Sequence, residues 1–307
     1  MVKRLEDIPK FKTWREIEKI EYGWSSDNKY YIEDDKHEKF LLRISQLDSY
    51  KQKKKEFEII QKFNTLNFPM SKAMDFGYVN NKKNVYMLLS WVEGQTLEKV
   101  IQNLSKEEQY NLGVEAGIIL KSIHSLTVEG SDIPKLSKIS KKLLQLNLYE
   151  ESSVRIPNDE IAISYVRENI DRLCNLPAVY EHGDFHLGNL IYTPECKIGV
   201  IDFNRWECGD RFEEFYKIQS FDVEVSIPFS VGEIHGYFNG EPPIDFWEIQ
   251  AVYVAHASLY SIKWAEKFGI EEINGMKKRC LDAFSDYDNF NEIIPKWYQV
   301  NKNTWRK

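Results

Sequence analysis

A chain of 307 residues with 42% hydrophobic residues, 17 Phe, 17 Tyr and 8 Trp carries too much core-forming surface to be disordered, and it is long for one core, so two lobes are expected. A formal charge of −7 with no sustained basic face argues against a nucleic-acid partner. No apolar run approaches the ~18 residues that span a bilayer, and Met1-Val-Lys-Arg-Leu-Glu-Asp7 has no apolar segment behind its positive charges, so a cytoplasmic protein without a membrane partner is expected.

The first elements alternate strand-like runs with turn chemistry: Ile17–Tyr22, Lys29–Glu33 and Lys39–Ile44, separated by Ser25-Ser-Asp-Asn28 and Asp34-Asp35. In Gly23-Trp-Ser-Ser-Asp-Asn28 the backbone amides of Ser25 and Ser26 offer a nest for phosphate, although an ordinary polar hairpin turn fits the same residues. A helix follows over about Ser49–Asn64, where the Lys51, Lys53, Lys54, Lys55 run reads as solvated. Glu56 and Glu58 lie about 200° apart around that helix and must face different surroundings. Asp75–Val79 and Asn84–Trp91 read as strands joined by Asn80-Asn-Lys-Lys83. Helices are predicted over Thr96–Asn103 and Ser105–Leu126, the second opening with a Ser105-Lys-Glu-Glu108 capping box and burying Leu112, Ala116, Ile119 and Ile123. His124 near its end reads as a packed histidine. Loop signals at Glu129-Gly-Ser-Asp132 and Pro157-Asn158 separate helices at about 137–150 and 159–175.

The chemistry concentrates in His182-Gly-Asp184-Phe-His186-Leu-Gly-Asn189, followed by Val200-Ile-Asp202-Phe203. Asp184 and Asn189 have the D-x-x-x-x-N spacing of a kinase catalytic loop, in which the Asp meets the substrate hydroxyl and the Asn holds metal. Between the two parts, Leu190–Thr193 and Ile198–Ile201 read as a hairpin around a four-residue turn, Pro194-Glu-Cys-Lys197. Pairing Leu190 with Ile201 and Tyr192 with Gly199 projects Asn189 and Asp202 from adjacent strand ends, an oxygen-only pair that suits Mg²⁺. A rival reading takes His182, Asp184 and His186 as zinc ligands on one face of an extended strand; it leaves Asn189 and Asp202 idle. Everything after the hairpin reads as helical, with Asp245–Phe268 and Glu271–Tyr287 the longest runs.

These motifs resemble the signature of the aminoglycoside phosphotransferase and choline kinase-like family, which shares the bilobal protein-kinase fold. The resemblance implies an α+β chain: a small N-terminal β-sheet lobe with one main helix over residues 1–92, which binds nucleotide, and a larger, mostly helical lobe over 93–307, which binds the acceptor. It implies Asp184 as catalytic base, Asn189 and Asp202 as Mg²⁺ ligands, and ATP or GTP as donor. Arg43, in Phe40-Leu-Leu-Arg43-Ile44, stands where a kinase carries its third-strand Lys, and Glu56 matches the helical Glu that pairs with it. Ser90-Trp-Val92-Glu-Gly94 resembles the hinge, where backbone groups of Ser90 and Val92 meet the purine. In Gly209-Asp-Arg-Phe-Glu-Glu214, Glu214 stands where most members have an Asp that steadies the catalytic loop. His182 and His186 take supporting roles, His186 replacing the Arg or Lys that many kinases place two positions after the Asp.

From Glu181 to Glu248 there are fourteen acidic and four basic residues, an excess of ten. A cleft lined by Glu207, Asp210, Asp222 and Glu224 would concentrate a polycation, although a solvated acidic surface fits the same count. Trp206 reads either as a cation–π platform for a quaternary ammonium or as packing. The expected function is a monomeric small-molecule kinase, with an aminoglycoside as first acceptor. Choline, a sugar or a homoserine-like metabolite is the alternative acceptor, and a noncatalytic nucleotide-binding scaffold the alternative class. Cys174, Cys196, Cys208 and Cys280 form no CxxC pair and read as reduced thiols.

Overall fold

The computed structural model describes residues 5–21, 27–173 and 176–305. They fall into two compact units, one of residues up to 95 with 191–204, the other of 96–190 with 205 onward.

In the first unit, alternation of side chains decides almost everything. Strands β1 (Trp14–Ile20), β2 (Asn28–Asp34), β3 (Lys39–Gln46), β4 (Ala73–Val79) and β5 (Asn84–Ser90) form one sheet in the order β1-β2-β3-β5-β4, each neighbour antiparallel. Pairing of Leu42 with Leu88 and of Ile44 with Tyr86 puts these residues on one face, where they bury with Phe40, Ile32, Val79 and Ile8. Period two then turns Arg43 and Met87 to the other face. Helix α1 (Tyr50–Phe63) covers that face and buries Glu56, Ile59, Ile60 and Phe63. Because β5 is covered on both sides, its six residues Asn84–Leu89 are all buried, a run without alternation.

The hairpin of Leu190–Tyr192 and Ile198–Val200 differs from its expected form. The Cys196 N–H donates to Thr193 O at 2.9 Å and the Thr193 N–H donates to Lys197 O at 2.9 Å, while Cys196 takes φ 58°. A left-handed third residue closes the loop in three residues instead of four. The strands therefore pair one residue away from the expected register.

The second unit is built on α2 (Lys106–His124), α3 (Lys138–Glu150), α4 (Glu160–Asn169), α5 (Ile227–Phe238), α6 (Ile244–Ala265) and α7 (Ile270–Asp286). The Ser105–Glu108 capping box forms, and Leu112, Ala116, Ile119 and Ile123 are buried. Helices α2 and α5 approach more closely than ordinary side chains permit. A Cβ on Gly113 or Gly117 would run into the carbonyl of Phe229 or Glu233, and one on Gly232 or Gly236 into that of Tyr110 or Val114. Two glycines four apart on each helix thus let backbone pack on backbone. One expectation fails here: Glu207–Asp210 is a strand, antiparallel to Ala178–Glu181. Gly209 permits it, since a Cβ there would meet Glu181 and Lys138. No helix of the described residues is long and apolar enough to cross a membrane, and Cys196, Cys208 and Cys280 are free thiols.

Candidate active site

The segment His182–Asn189 is a loop, bent at Gly183 (φ 79°), where any Cβ would strike the Arg205 carbonyl. Carboxylates from later in the chain hold it. Glu214 accepts from the His182 N–H at 2.7 Å and the Gly183 N–H at 2.8 Å, the expected steadying contact, although it sits in a short turn, Glu213–Phe215. Asp222 accepts from the Leu187 N–H at 2.9 Å. It closes a π-helical turn, Ile218–Asp222, whose wider ring places that carboxylate under the loop.

The loop also ties itself. His182 Nδ1 accepts from the Asp184 N–H at 3.2 Å, and His186 Nδ1 from the Gly188 N–H at 3.1 Å. Asn189 Nδ2 donates to the Asp184 carbonyl at 2.9 Å, which leaves its amide oxygen without a partner among the described residues. His182 is fully buried, and the His186 ring stacks on Phe221 at 5.0 Å. Burial, with Lys217 and Arg205 nearby, holds His186 down to about 4, so the ring is neutral and free to accept through Nδ1.

At Asp184 one carboxylate oxygen, Oδ1, accepts from Lys217 Nζ at 2.6 Å, with Arg205 Nη1 at 3.6 Å. The other, Oδ2, has no partner among the described residues, and the side chain keeps 16% of its exposure. Burial alone would raise the carboxyl's pKa, but Lys217, His186 and Arg205 together hold it well below the usual carboxylate range. Asp184 is therefore an anion with one oxygen fixed and one open. The zinc arrangement does not form: His182 and His186 use Nδ1 for backbone contacts, and although His186 Nε2 lies 3.7 Å from Asp184 Oδ1, the three side chains form no three-ligand group among the described residues.

Asp222 and Asp210 are corrections to the acceptor list. Asp222 is buried and anchors the His182–Asn189 loop; Asp210 is buried between the Phe212 N–H and the Tyr253 hydroxyl, at 2.8 and 2.7 Å. Glu207 is ion-paired with Lys141 at 2.6 Å and Glu224 with Arg279 at 2.5 Å. Glu181 and Glu213 enclose Lys138, and Lys142 adds a second ion pair to Glu213 at 2.6 Å. Much of the acidic excess thus lies inside the fold, where helix α3 supplies its counter-charge. Trp206 packs near Tyr180 with ring centres 6.4 Å apart.

The first unit holds a second ionic cluster. Arg43 donates to Glu56 Oε1 at 2.5 Å and to Asp27 Oδ2 at 2.7 and 3.1 Å; all three side chains are at most 3% exposed. Lys53 joins both acids, at 2.8 Å from Asp27 and 3.1 Å from Glu56, and Ser45 Oγ donates to Asp27 at 2.7 Å. Burial opposes ionisation of Asp27, yet Arg43 and Lys53 outweigh it and lower its pKa to about 2. Glu58 faces away, half exposed, 4.0 Å from Lys54. Asp202, in the same unit, takes φ 63°, a costly conformation for Asp, and lies 3.5 Å from Lys29. Ser90 donates its N–H to Lys72 O at 2.9 Å, which leaves only its carbonyl for a hinge contact. Ser25 and Ser26 lie outside the described residues. Lys53 corrects the reading of its lysine run as solvated, since it turns inward to the two buried acids. Roles for Lys217 and Asp27 were not read from the sequence; the scarcity of cations between Glu181 and Glu248 was the one signal pointing to Lys217 and Arg205.

A sheet capped by one helix, joined to a helical unit that carries an H-G-D loop, is a protein-kinase-like fold. The chain is similar to the GDP complex of a mutant aminoglycoside 2'-phosphotransferase-IIIa, with a TM-score of 0.72 at 13% identity over 94% of this chain and 96% of that one. It is similar to the gentamicin complex of APH(2'')-IIa, with a TM-score of 0.66 at 18% identity over 89% and 92%. Amicoumacin kinase hAmiN, in complex with AMP-PNP and Ca²⁺, gives 0.65 at 13% identity over 92% of each chain. No curated protein matches the sequence. The model of the phosphotransferase enzyme family, APH, matches residues 16–247, and the protein belongs to that family.

Proposed function

We propose that the protein transfers the γ-phosphoryl group of ATP or GTP to a hydroxyl of a small molecule. The observation that carries this reading is Asp184: an anion whose Oδ1 is fixed by Lys217 while Oδ2 stays open to accept a hydroxyl proton. Phosphoryl transfer depends on alignment and charge neutralisation more than on strong basicity, so a weakly basic, firmly oriented carboxylate suits it. Asn189 offers an amide oxygen and Asp202 a carboxylate, both hard oxygen donors fit for Mg²⁺. When bound, the ion would neutralise charge on the terminal phosphates. Arg43 clamps the inner phosphates with Glu56 behind it, and the Val92 backbone meets the purine.

Aminoglycosides are the first acceptors proposed, on the strength of the family and of the gentamicin complex among the similar structures. A neutral or anionic metabolite is the second, favoured by Lys217 and Arg205 beside Asp184 and by the internal pairing of Glu207, Glu213 and Glu224. Nucleotide consumption with Mg²⁺, screened across aminoglycosides, choline, sugars and homoserine, separates them. Asp184→Ala is expected to retain nucleotide binding and lose about 10²–10⁴-fold in turnover. Equal turnover in wild type and variant would leave only a nucleotide-binding scaffold.

A further inference from the structure

Lys217 is an expensive residue to keep where it is. Its side chain is 4% exposed, its ammonium lies 5.1 Å from the Tyr216 ring centre and 5.3 Å from that of Phe221, and Asp184 is its one ion-pair partner among the described residues. A buried ion pair is weak as a device for stability, because desolvating both charges cancels most of their attraction and an apolar side chain of similar volume packs as well. Stability therefore gives little reason for a lysine between two aromatic rings. Its position does: three residues after Glu214, which holds the catalytic loop amides, and directly before the π-helical turn whose Asp222 holds Leu187.

The catalytic loop itself lacks a cation. His186 stands two positions after Asp184, stacked on Phe221 and bonded to the Gly188 amide. Its Nδ1 is taken by that amide, and residues 182–189 include no Lys or Arg. Arg205 is the other cation near Asp184, but at 3.6 Å and 39% exposure it is more distant and more screened by solvent.

We propose that Lys217 is the positioning residue for Asp184: from outside the catalytic loop it takes the place of the missing loop cation, pins Oδ1, and so aims Oδ2 at the acceptor hydroxyl. The proposal rests on the phosphotransfer reading and deepens it. No group is transferred to or from Lys217; it acts through Asp184, and its effect is confined to turnover.

A double-mutant cycle tests this, read as phosphate release from ATP with Mg²⁺ by the purified full chain at saturating nucleotide. Lys217→Met should lower kcat about 10²-fold, the scale of base and orientation effects, with the nucleotide KM within about twofold. In an Asp184→Asn background the same change should cost less than about twofold, since a residue acting only through Asp184 has nothing left to act on. Lys217→Arg, which keeps the charge, should recover most of the turnover, and it carries the test if the Met variant fails to fold. Equal losses in both backgrounds, wild-type kcat in Lys217→Met, or an Arg variant as poor as the Met variant would each overturn the assignment. Identical turnover in wild type and Asp184→Asn would instead overturn the phosphotransfer reading, and this proposal with it.

Discussion

Around Arg43 a buried cation sits among carboxylates, whereas around Asp184 a carboxylate sits among cations, and the two clusters fail to be interchangeable for a physical reason. In the Arg43 cluster Glu56 and Asp27 take three of the guanidinium N–H bonds, and Lys53 bridges the same two carboxylates. The Asp184 cluster is half open, one oxygen held and one available. The first arrangement balances a buried cation with buried anions, and the second leaves one carboxylate oxygen without a partner among the described residues. Their anchoring differs too. Arg43 and Glu56 come from an adjacent strand and helix, while the catalytic loop hangs on Glu214, Lys217 and Asp222, about thirty residues later in the chain.

The largest effect that would sharpen this contrast is Arg43→Ala. It leaves Asp27 and Glu56, both buried, to share the single charge of Lys53, and should cost about 3–5 kcal/mol of stability along with nucleotide affinity, measured by denaturant unfolding and nucleotide titration. A loss below about 1 kcal/mol would mean that the cluster is not buried as described. Glu214→Ala comes next. Two buried amides lose their acceptor, at about 1–3 kcal/mol each, and turnover should fall with stability because the loop carries Asp184. If turnover survives while stability falls, the loop does not depend on its distant anchor, and the contrast between the clusters collapses.

Asp27→Asn is smaller and opposite in sign. If Asp27 holds the place of a phosphate, removing its charge should tighten nucleotide binding about tenfold, or about 1.4 kcal/mol, by calorimetric titration. Weaker binding would make Asp27 a part of the nucleotide site and not its competitor. Glu58→Ala, on the exposed face of α1, should change stability by less than about 0.5 kcal/mol and leave nucleotide Kd unchanged. A damaging Glu58→Ala beside a silent Glu56→Ala would reverse the assignment of the paired carboxylate.

Local periodicity accounts for most of what could be read in advance. Alternation along Phe40–Ile44 separates Arg43 from its apolar neighbours, and the 100° step of a helix separates Glu56 from Glu58. The Ser105 capping box is equally local. The hairpin register slipped by one because it turned on a single dihedral, the positive φ of Cys196, and a non-glycine residue does not advertise that conformation. The strand at Glu207–Asp210 was missed because its pairing partner, Ala178–Glu181, lies on the far side of the catalytic hairpin in sequence. The four glycines of α2 and α5 signal their close approach only once the two helices are known to be neighbours.

Sequence by itself determined the strand and helix order of the first unit and the family, and through the family resemblance the Arg43–Glu56 pairing, because each depends on residues within one or two elements or on a motif of fixed spacing. Tertiary structure alone decided which charges remain available. Whether Asp210 and Asp222 face an acceptor or an interior hydroxyl and amide, and whether Asp184 meets a cation from its own loop or from Lys217, depends on contacts across about thirty to forty residues. Charge counts sum over such contacts without resolving them: a buried ion pair and an open carboxylate contribute the same integers to a sequence, but they differ by the full energy of desolvation and pairing once the chain has folded.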